Sequence, residues 1–206
     1  MAEAQSAQPT DGSGAKQAPA DLVPPDAELV KRSSDGEQEA FEPLVRRYSD
    51  SIVRFVYHMV GDFQTAEDIA QETFIKAFAH LRRLEQPERF STWLYSIARH
   101  SCLDWIRARR SGPSVEDLAE VGAEIADQSA DAPDTPAEAG ELHSEVVAEL
   151  QRLRADYREI ILLKHIHELS YKEIGEIVGL SASAVGEKLS RVRQMLRDRL
   201  RRRLER

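Results

Sequence analysis

Phe41, Leu44, Val45, Tyr48, Ile52, Phe55, Val56 and Met59 recur at intervals of three and four residues. That spacing puts all eight on one face of an α-helix, whereas in a strand it would scatter them over both faces. Gly61 is the expected end of this helix. The next is expected to start at Thr65 as N-cap, with Glu67 and Asp68 in its first turn, and to run through Ile69, Phe74, Ala77, Phe78 and Leu81 before Pro87 breaks the pattern. Ser91 or Thr92 is the expected cap of a helix through Trp93, Leu94, Ile97, Ala98, Trp105 and Ile106, stopping at Arg109-Arg110-Ser111-Gly112-Pro113. Leu142–Leu153 and Tyr157–His165 read as two further amphipathic helices, and no stretch of useful length alternates as a strand would. The expected fold class is all-α, with a four-helix domain over 26–110 and a second small helical domain over 143–206.

What joins and precedes these domains is set by composition. Residues 1–25 are rich in Ala, Gln, Pro, Gly and Ser and have almost no large apolar side chains, so they cannot offset the entropy of ordering; a disordered tail is expected. Residues 111–142 carry nine acids, no base and no aromatic residue, the composition of a solvated linker, with room for a short helix around Val115–Ala126. The net charge of −8 therefore conceals a partition. Residues 38–110 hold ten acids and eleven bases, and residues 143–206 hold ten acids and fourteen bases, nine of them from Lys188 onward. Both helical domains can thus approach a polyanion although the whole chain is acidic.

No apolar run is long enough to span a bilayer and the first residues lack a signal-peptide pattern, so a cytoplasmic protein without membrane insertion is expected. Cys102 is the only cysteine, which excludes an intramolecular disulfide and leaves a thiolate metal site short of ligands.

The second domain contains the more specific pattern. Ser170-Tyr171-Lys172-Glu173-Ile174-Gly175-Glu176-Ile177-Val178 has capping-box spacing between Ser170 and Glu173, and Gly179-Leu180-Ser181 supplies a tight turn. A longer helix from Ala182 then places Ala184, Val185, Leu189, Val192, Met195 and Leu196 on one face and Ser183, Gly186, Glu187, Ser190, Arg191, Arg193, Gln194 and Arg197 on the other. Short helix, glycine turn and longer helix with a polar, cationic outer face is the helix-turn-helix layout, whose second helix enters the major groove. An ordinary helical hairpin with a solvated face fits the same periodicity, but here the bases cluster rather than alternate with acids.

The helix from Trp93 carries another polar stripe of Ser96, Arg99, His100, Asp104, Arg107 and Arg110, with Leu103 among them. An apolar residue amid arginines suits contact with unstacked bases, and Trp93 is a candidate stacking platform where it is not core. His165 and His167, two apart, diverge on a helix and make a poor metal pair. No glycine-rich phosphate loop and no activated nucleophile is recognisable, so neither enzymatic activity nor a cofactor is expected.

Asp68-Ile69-Ala70-Gln71-Glu72-Thr73-Phe74 followed by Phe90-Ser91-Thr92-Trp93-Leu94-Tyr95-Ser96-Ile97-Ala98-Arg99 resembles region two of the bacterial extracytoplasmic-function (group IV) sigma factors of the sigma-70 family. Leu169 to Gly179 and Arg191-Val192-Arg193 resemble that family's region four. The resemblance covers about 26–110 and 143–204 and implies a transcription initiation factor. It assigns Asp68, Gln71, Glu72 and Phe74 to the clamp helices of core RNA polymerase. Leu84–Arg89 with Trp93, Ser96, Arg99, His100, Leu103 and Arg107 would open and read the minus-ten element. Ser183, Glu187, Lys188, Ser190, Arg191 and Gln194 would read the minus-thirty-five element, with region four docked on the polymerase flap. It further implies an anti-sigma partner, and a linker threading the RNA exit path.

Two departures bear on promoter choice. His100 stands where the family usually has Asn, and Ser183-Ala184-Val185-Gly186-Glu187-Lys188 replaces a usual Gly-Thr-Val-Lys-Ser-Arg. The latter removes a cation at Gly186, while Glu187 is able to accept from a cytosine amino group. The rival readings are a stand-alone helix-turn-helix regulator, which would dimerise on a palindrome, and a metal-dependent nucleic-acid enzyme using the chain's carboxylates.

Overall fold

The computed structural model describes residues 24–110 and 146–204. The expected tail up to residue 23, the acidic linker and the short helix near 115–126 lie outside the described residues.

Among the described residues the structure is helical without strands. The first unit comprises α1 (Asp26–Ser34), α2 (Glu42–Val60), α3 (Phe63–His80) and α4 (Phe90–Arg110), with 3-10 turns at Gln38–Phe41, Leu81–Arg83 and Pro87–Arg89. The second has a helical segment over 146–151, then α5 (Ala155–His165), α6 (Tyr171–Val178) and α7 (Ala182–Leu204).

α2 buries Leu44, Ile52, Phe55, Val56 and Met59, the stripe its spacing implies, and Gly61 closes it at φ +87° with its N–H on the Tyr57 carbonyl. Only a residue free of a Cβ reaches that conformation without strain. The start of α3 differs from expectation. Asp62, not Thr65, is the N-cap, its carboxylate accepting from the Thr65 N–H at 2.7 Å. Asp62 has the better geometry because its side chain meets the third N–H of the helix, the donor an N-cap satisfies. The accepted bond holds the Asp62 carboxyl below its ordinary value. α4 likewise begins at Phe90, one residue before Ser91, so neither Ser91 nor Thr92 is its cap. Phe90 is fully buried, in edge contact with Phe41; tertiary packing rather than capping sets this start.

In the second unit the capping box forms in both directions. Ser170 Oγ accepts from the Glu173 N–H, and the Glu173 carboxylate accepts from the Ser170 N–H at 2.8 Å. Gly179, at φ +73°, ends α6, and Ser181 Oγ accepts the Ala184 N–H at the start of α7. Gly175 lies against the returning chain: a Cβ there would stand 2.4 Å from the Leu180 carbonyl oxygen. Val185, Leu189 and Val192 are fully buried along α7.

The two units share one apolar core, which continues from Phe55, Leu94 and Ala98 into Ile160, Leu163 and Ile174. α4 packs on α6 and α2 on α5. Arg158 of α5 is buried and donates to the Leu150 carbonyl at 2.8 Å, the Leu153 carbonyl at 3.0 Å and the Met59 carbonyl at the end of α2. Gln151 Nε2 donates to the neighbouring His58 carbonyl at 2.9 Å. The Met59 and His58 carbonyls belong to the last turn of α2, which has no intrahelical donors to offer them and carries the negative end of the helix dipole.

Candidate polymerase- and DNA-facing surfaces

α3 presents Asp68, Gln71 and Glu72 to solvent, with Phe74 half-buried behind them. Glu72 pairs with Lys76 at 2.8 Å one turn on, an exposed pair that leaves the carboxylate accessible. The same helix exposes three large apolar side chains, Phe63 at its start and, beside the acids, Ile75 at 62% and Phe78 at 42%. The Phe78 ring rests edge-on against Phe41 at 5.1 Å and keeps its outer side in water. Ile75, Phe74 and Phe78 with Phe41, Val45 and Val53 of the facing segment line an open groove of about 710 Å³ between α2 and α3. The groove and Ile75 escape the sequence because periodicity assigns apolar residues to a core without saying which of them lacks a neighbour. Apolar side chains left open beside acids and an amide are suited to a helical protein partner.

The polar stripe of α4 divides. His100, Asp104 and Arg107 face solvent, with His100 Nδ1 2.6 Å from the Ser96 carbonyl and Arg107 donating to Asp104 at 2.8 Å. Ser96, Leu103 and Trp93 are half-buried; Ser96 Oγ donates to the Trp93 carbonyl, and the Trp93 ring leans on Phe90 at 6.2 Å. Arg99 departs from the expectation of an open DNA-facing cation. Its Nε and Nη2 donate to the Glu159 carboxylate at 2.7 and 3.2 Å, and it is largely covered by the second unit. Of Arg110 only the backbone is described.

α7 turns Ser183, Glu187, Ser190, Arg191 and Gln194 outward, all exposed. Glu187 stands 3.9 Å from Arg191 one turn on, and Gln194 Nε2 donates to Asp198 at 3.0 Å. Lys188 does not share this face. It is half-buried, donates to Asp156 of α5 at 2.8 Å and lies over the Tyr157 ring, so it braces the helix instead of meeting a groove. That position follows from α5 crossing behind α7, which no local periodicity reveals. Gly186 leaves room for Tyr171, whose ring would lie 3.4 Å from a Cβ there.

The two histidines of the 165–167 segment separate as their spacing implies. His165 is exposed, 3.4 Å from Arg193. His167 enters the seam between the units, its Nδ1 2.7 Å from the Tyr95 hydroxyl and its ring against Phe55. Burial, with the nearby Arg54 and His58, pulls the His167 imidazole down to about 4. Burial also pushes the Cys102 thiol up to about 12, so it is a poor nucleophile. No cluster of three or more potential metal ligands occurs among the described residues.

The family described as Sigma-70 region 2 matches residues 44–112, and that described as Sigma-70, region 4 matches residues 143–196. The chain is 35% identical over 179 residues to the ECF RNA polymerase sigma factor SigW of Bacillus subtilis, covering 84% of this chain and 95% of that protein. It is 30% identical over 176 residues to the RNA polymerase sigma-H factor of Pseudomonas aeruginosa, covering 83% and 91%. Among solved structures it resembles CnrH in complex with the cytosolic domain of CnrY, with a TM-score of 0.65 and 26% identity over 85% of this chain and 96% of the other. It also resembles the sigma factor RpoE bound to the anti-sigma factor NepR from Bartonella quintana, with a TM-score of 0.60 and 25% identity over 78% and 96%. With both regions present in order and one relative matched along nearly its whole length, this chain belongs to the extracytoplasmic-function sigma factors of the sigma-70 family.

Proposed function

We propose that this chain binds core RNA polymerase in the cytoplasm and directs it to a set of promoters without catalysing a reaction itself. The observation that carries the reading is the pairing, in one chain, of an open apolar groove flanked by Gln71 and an outward recognition face on α7. One suits a protein partner and the other the major groove.

In this reading Asp68, Gln71, Glu72 and Phe74, joined by Ile75 and Phe78, receive the clamp helices of the polymerase. Trp93, Ser96, His100, Leu103 and Arg107 meet the minus-ten element, with Arg99 added once Glu159 releases it. Ser183, Glu187, Ser190, Arg191 and Gln194 read the minus-thirty-five element, while Lys188 fixes the angle of α7 on α5. The domains behind these roles are region two over 26–110 and region four over 143–206, joined by the acidic linker. An anti-sigma factor is a further partner, supported by the likeness to sigma factors solved with CnrY and NepR. Among the described residues no helix is long and apolar enough to cross a membrane.

Run-off transcription by purified core polymerase on a randomised promoter library, with and without the chain, tests the proposal. Specific transcripts only in its presence support it. Transcripts independent of the chain, or a chain that forms a stable dimer on a palindrome without polymerase, would refute it.

A further inference from the structure

α2 ends, α3 begins and α4 ends at one pole of the first unit, and aromatic side chains gather there. The Phe63 ring at the start of α3 is 51% exposed and meets Tyr57 edge-on at 6.3 Å. On α4 the half-buried Trp105 carries the exposed Arg109 guanidinium 5.0 Å over its ring, and Ile106 is half-buried too. Asp62 ties the two sides together: Thr65 holds its carboxyl below the ordinary value and the Arg109 charge lowers it further. This patch is separate from the groove around Ile75, which lies about 18 Å farther along α3.

The chain leaves and returns at this pole. α4 stops at Arg110, one residue past Arg109, and the helical segment 146–151 re-enters with Gln151 on the His58 carbonyl and against Gly61. Residues 111–145 therefore start beside the patch and end within about 8 Å of chain from it. In that stretch Val115, Leu118, Val121 and Ile125 follow at intervals of three, three and four, which would set them on one side of a helix, with Glu116, Asp117, Glu120 and Glu124 on the other. Ser114 and Asp117 have the spacing of a helix start. We propose that residues 115–126 form a helix that docks its Val115, Leu118, Val121 and Ile125 stripe on the patch of Tyr57, Phe63 and Trp105.

Each side supplies what the other lacks. A helix of this length is marginal alone in water and needs a surface for its apolar stripe, and the patch is an apolar surface left partly in water. The segment is within reach, since four residues from Arg110 to Ser114 span at most about 14 Å. Its charge is complementary, because residues 111–142 carry nine acids and no base, and Glu116 and Asp117 border the stripe where it would meet Arg109. An occupant tethered at both ends also has a high effective concentration, which a second copy or a separate protein does not. Docked, these residues span about 18 Å, against about 40 Å fully extended, so docking shortens the tether that sets how far the second unit can travel from the first.

Hydrogen exchange of the full-length chain, read by mass spectrometry on peptides covering 115–126, tests the docking. The amides of that stretch should exchange at least tenfold more slowly in the parent than in Leu118→Asp with Ile125→Asp, which spoils the stripe. Phe63→Asp, made on the other side of the contact, should speed them to the same extent, and the milder Phe63→Ala in part. Phe63 is half in water, so exchange of the α2 and α4 amides should stay as in the parent; if Phe63→Asp loosens them, Phe63→Ala decides. Equal exchange in the parent and the Leu118→Asp, Ile125→Asp chain overturns the helix, and protection that survives both changes at Phe63 overturns the site. Sedimentation of the parent should show a monomer. A dimer that Phe63→Asp dissociates puts a second copy on the patch and overturns the occupant.

Discussion

Gly175→Ala should disable the second unit, and the reason is steric. A Cβ at 175 would stand 2.4 Å from the Leu180 carbonyl oxygen, an atom of the main chain with no freedom to rotate away. The same turn is held from the other side, because the Gly175 carbonyl accepts the Gly179 and Leu180 N–H groups, the latter at 2.9 Å. Relieving the clash means moving α6 off the turn and stretching these bonds. Overpacking of this kind costs about 1–3 kcal/mol and a weakened hydrogen bond about 1 more, against roughly 0.5–1 recovered from the better helix propensity of alanine. The net expectation is a loss of about 2–3 kcal/mol. Urea unfolding followed by far-ultraviolet circular dichroism measures it, with Gly36→Ala as control: that glycine has positive φ but nothing within 4 Å of its Cβ, so only the conformational cost, about 1 kcal/mol, applies. A Gly175→Ala midpoint equal to that of the parent, or a loss no larger than in the Gly36→Ala control, would refute the close-approach reasoning.

Gln71→Ala with Glu72→Ala should weaken capture of core polymerase at unchanged helix content, because both side chains are exposed and the Glu72–Lys76 pair is of the surface kind that contributes little to folding; pull-down at parental strength would contradict it. Arg191→Ala should lower transcription from a cognate promoter roughly tenfold and relax preference at one or two minus-thirty-five positions, the signature of a lost bidentate base contact worth about 1–3 kcal/mol. Lys188→Ala should instead lower the unfolding midpoint and leave the selected promoter sequence unchanged, since its partner is Asp156. For His167 the folded imidazole sits near 4 against an ordinary 6.5, so the unfolded chain binds the proton first. Its contribution to stability is whole above pH 6.5 and is lost as the pH falls toward 4, and His167→Phe should flatten that slope in acid titrations monitored by urea unfolding.

The helices were legible because their cause is local. Apolar spacing fixed the buried face of α2 through Leu44, Ile52, Phe55, Val56 and Met59, and Gly61 its end. Ser170, Glu173 and Gly179 determined the limits of α6, since a capping box and a left-handed glycine act within one turn of the chain. The outward set Ser183, Glu187, Ser190, Arg191 and Gln194 followed from the buried set opposite it, as a single helix has only so many faces. Expectation failed where a residue's surroundings come from elsewhere in the chain. The packing of Phe90 against Phe41 started α4 early, whereas Asp62 displaced Thr65 as the cap of α3 for a local reason, its carboxylate meeting the third N–H of the helix.

The sequence by itself therefore determined that the chain is helical, where most helices lie, and which surface of α7 faces solvent. Only the tertiary structure decided that Ile75 and Phe78 border an open groove, that Lys188 is spent on Asp156, and that Arg99 faces Glu159 across the seam. Periodicity tells which side of a helix avoids water, but a cation sixty residues from its carboxylate meets it only when the whole chain has folded.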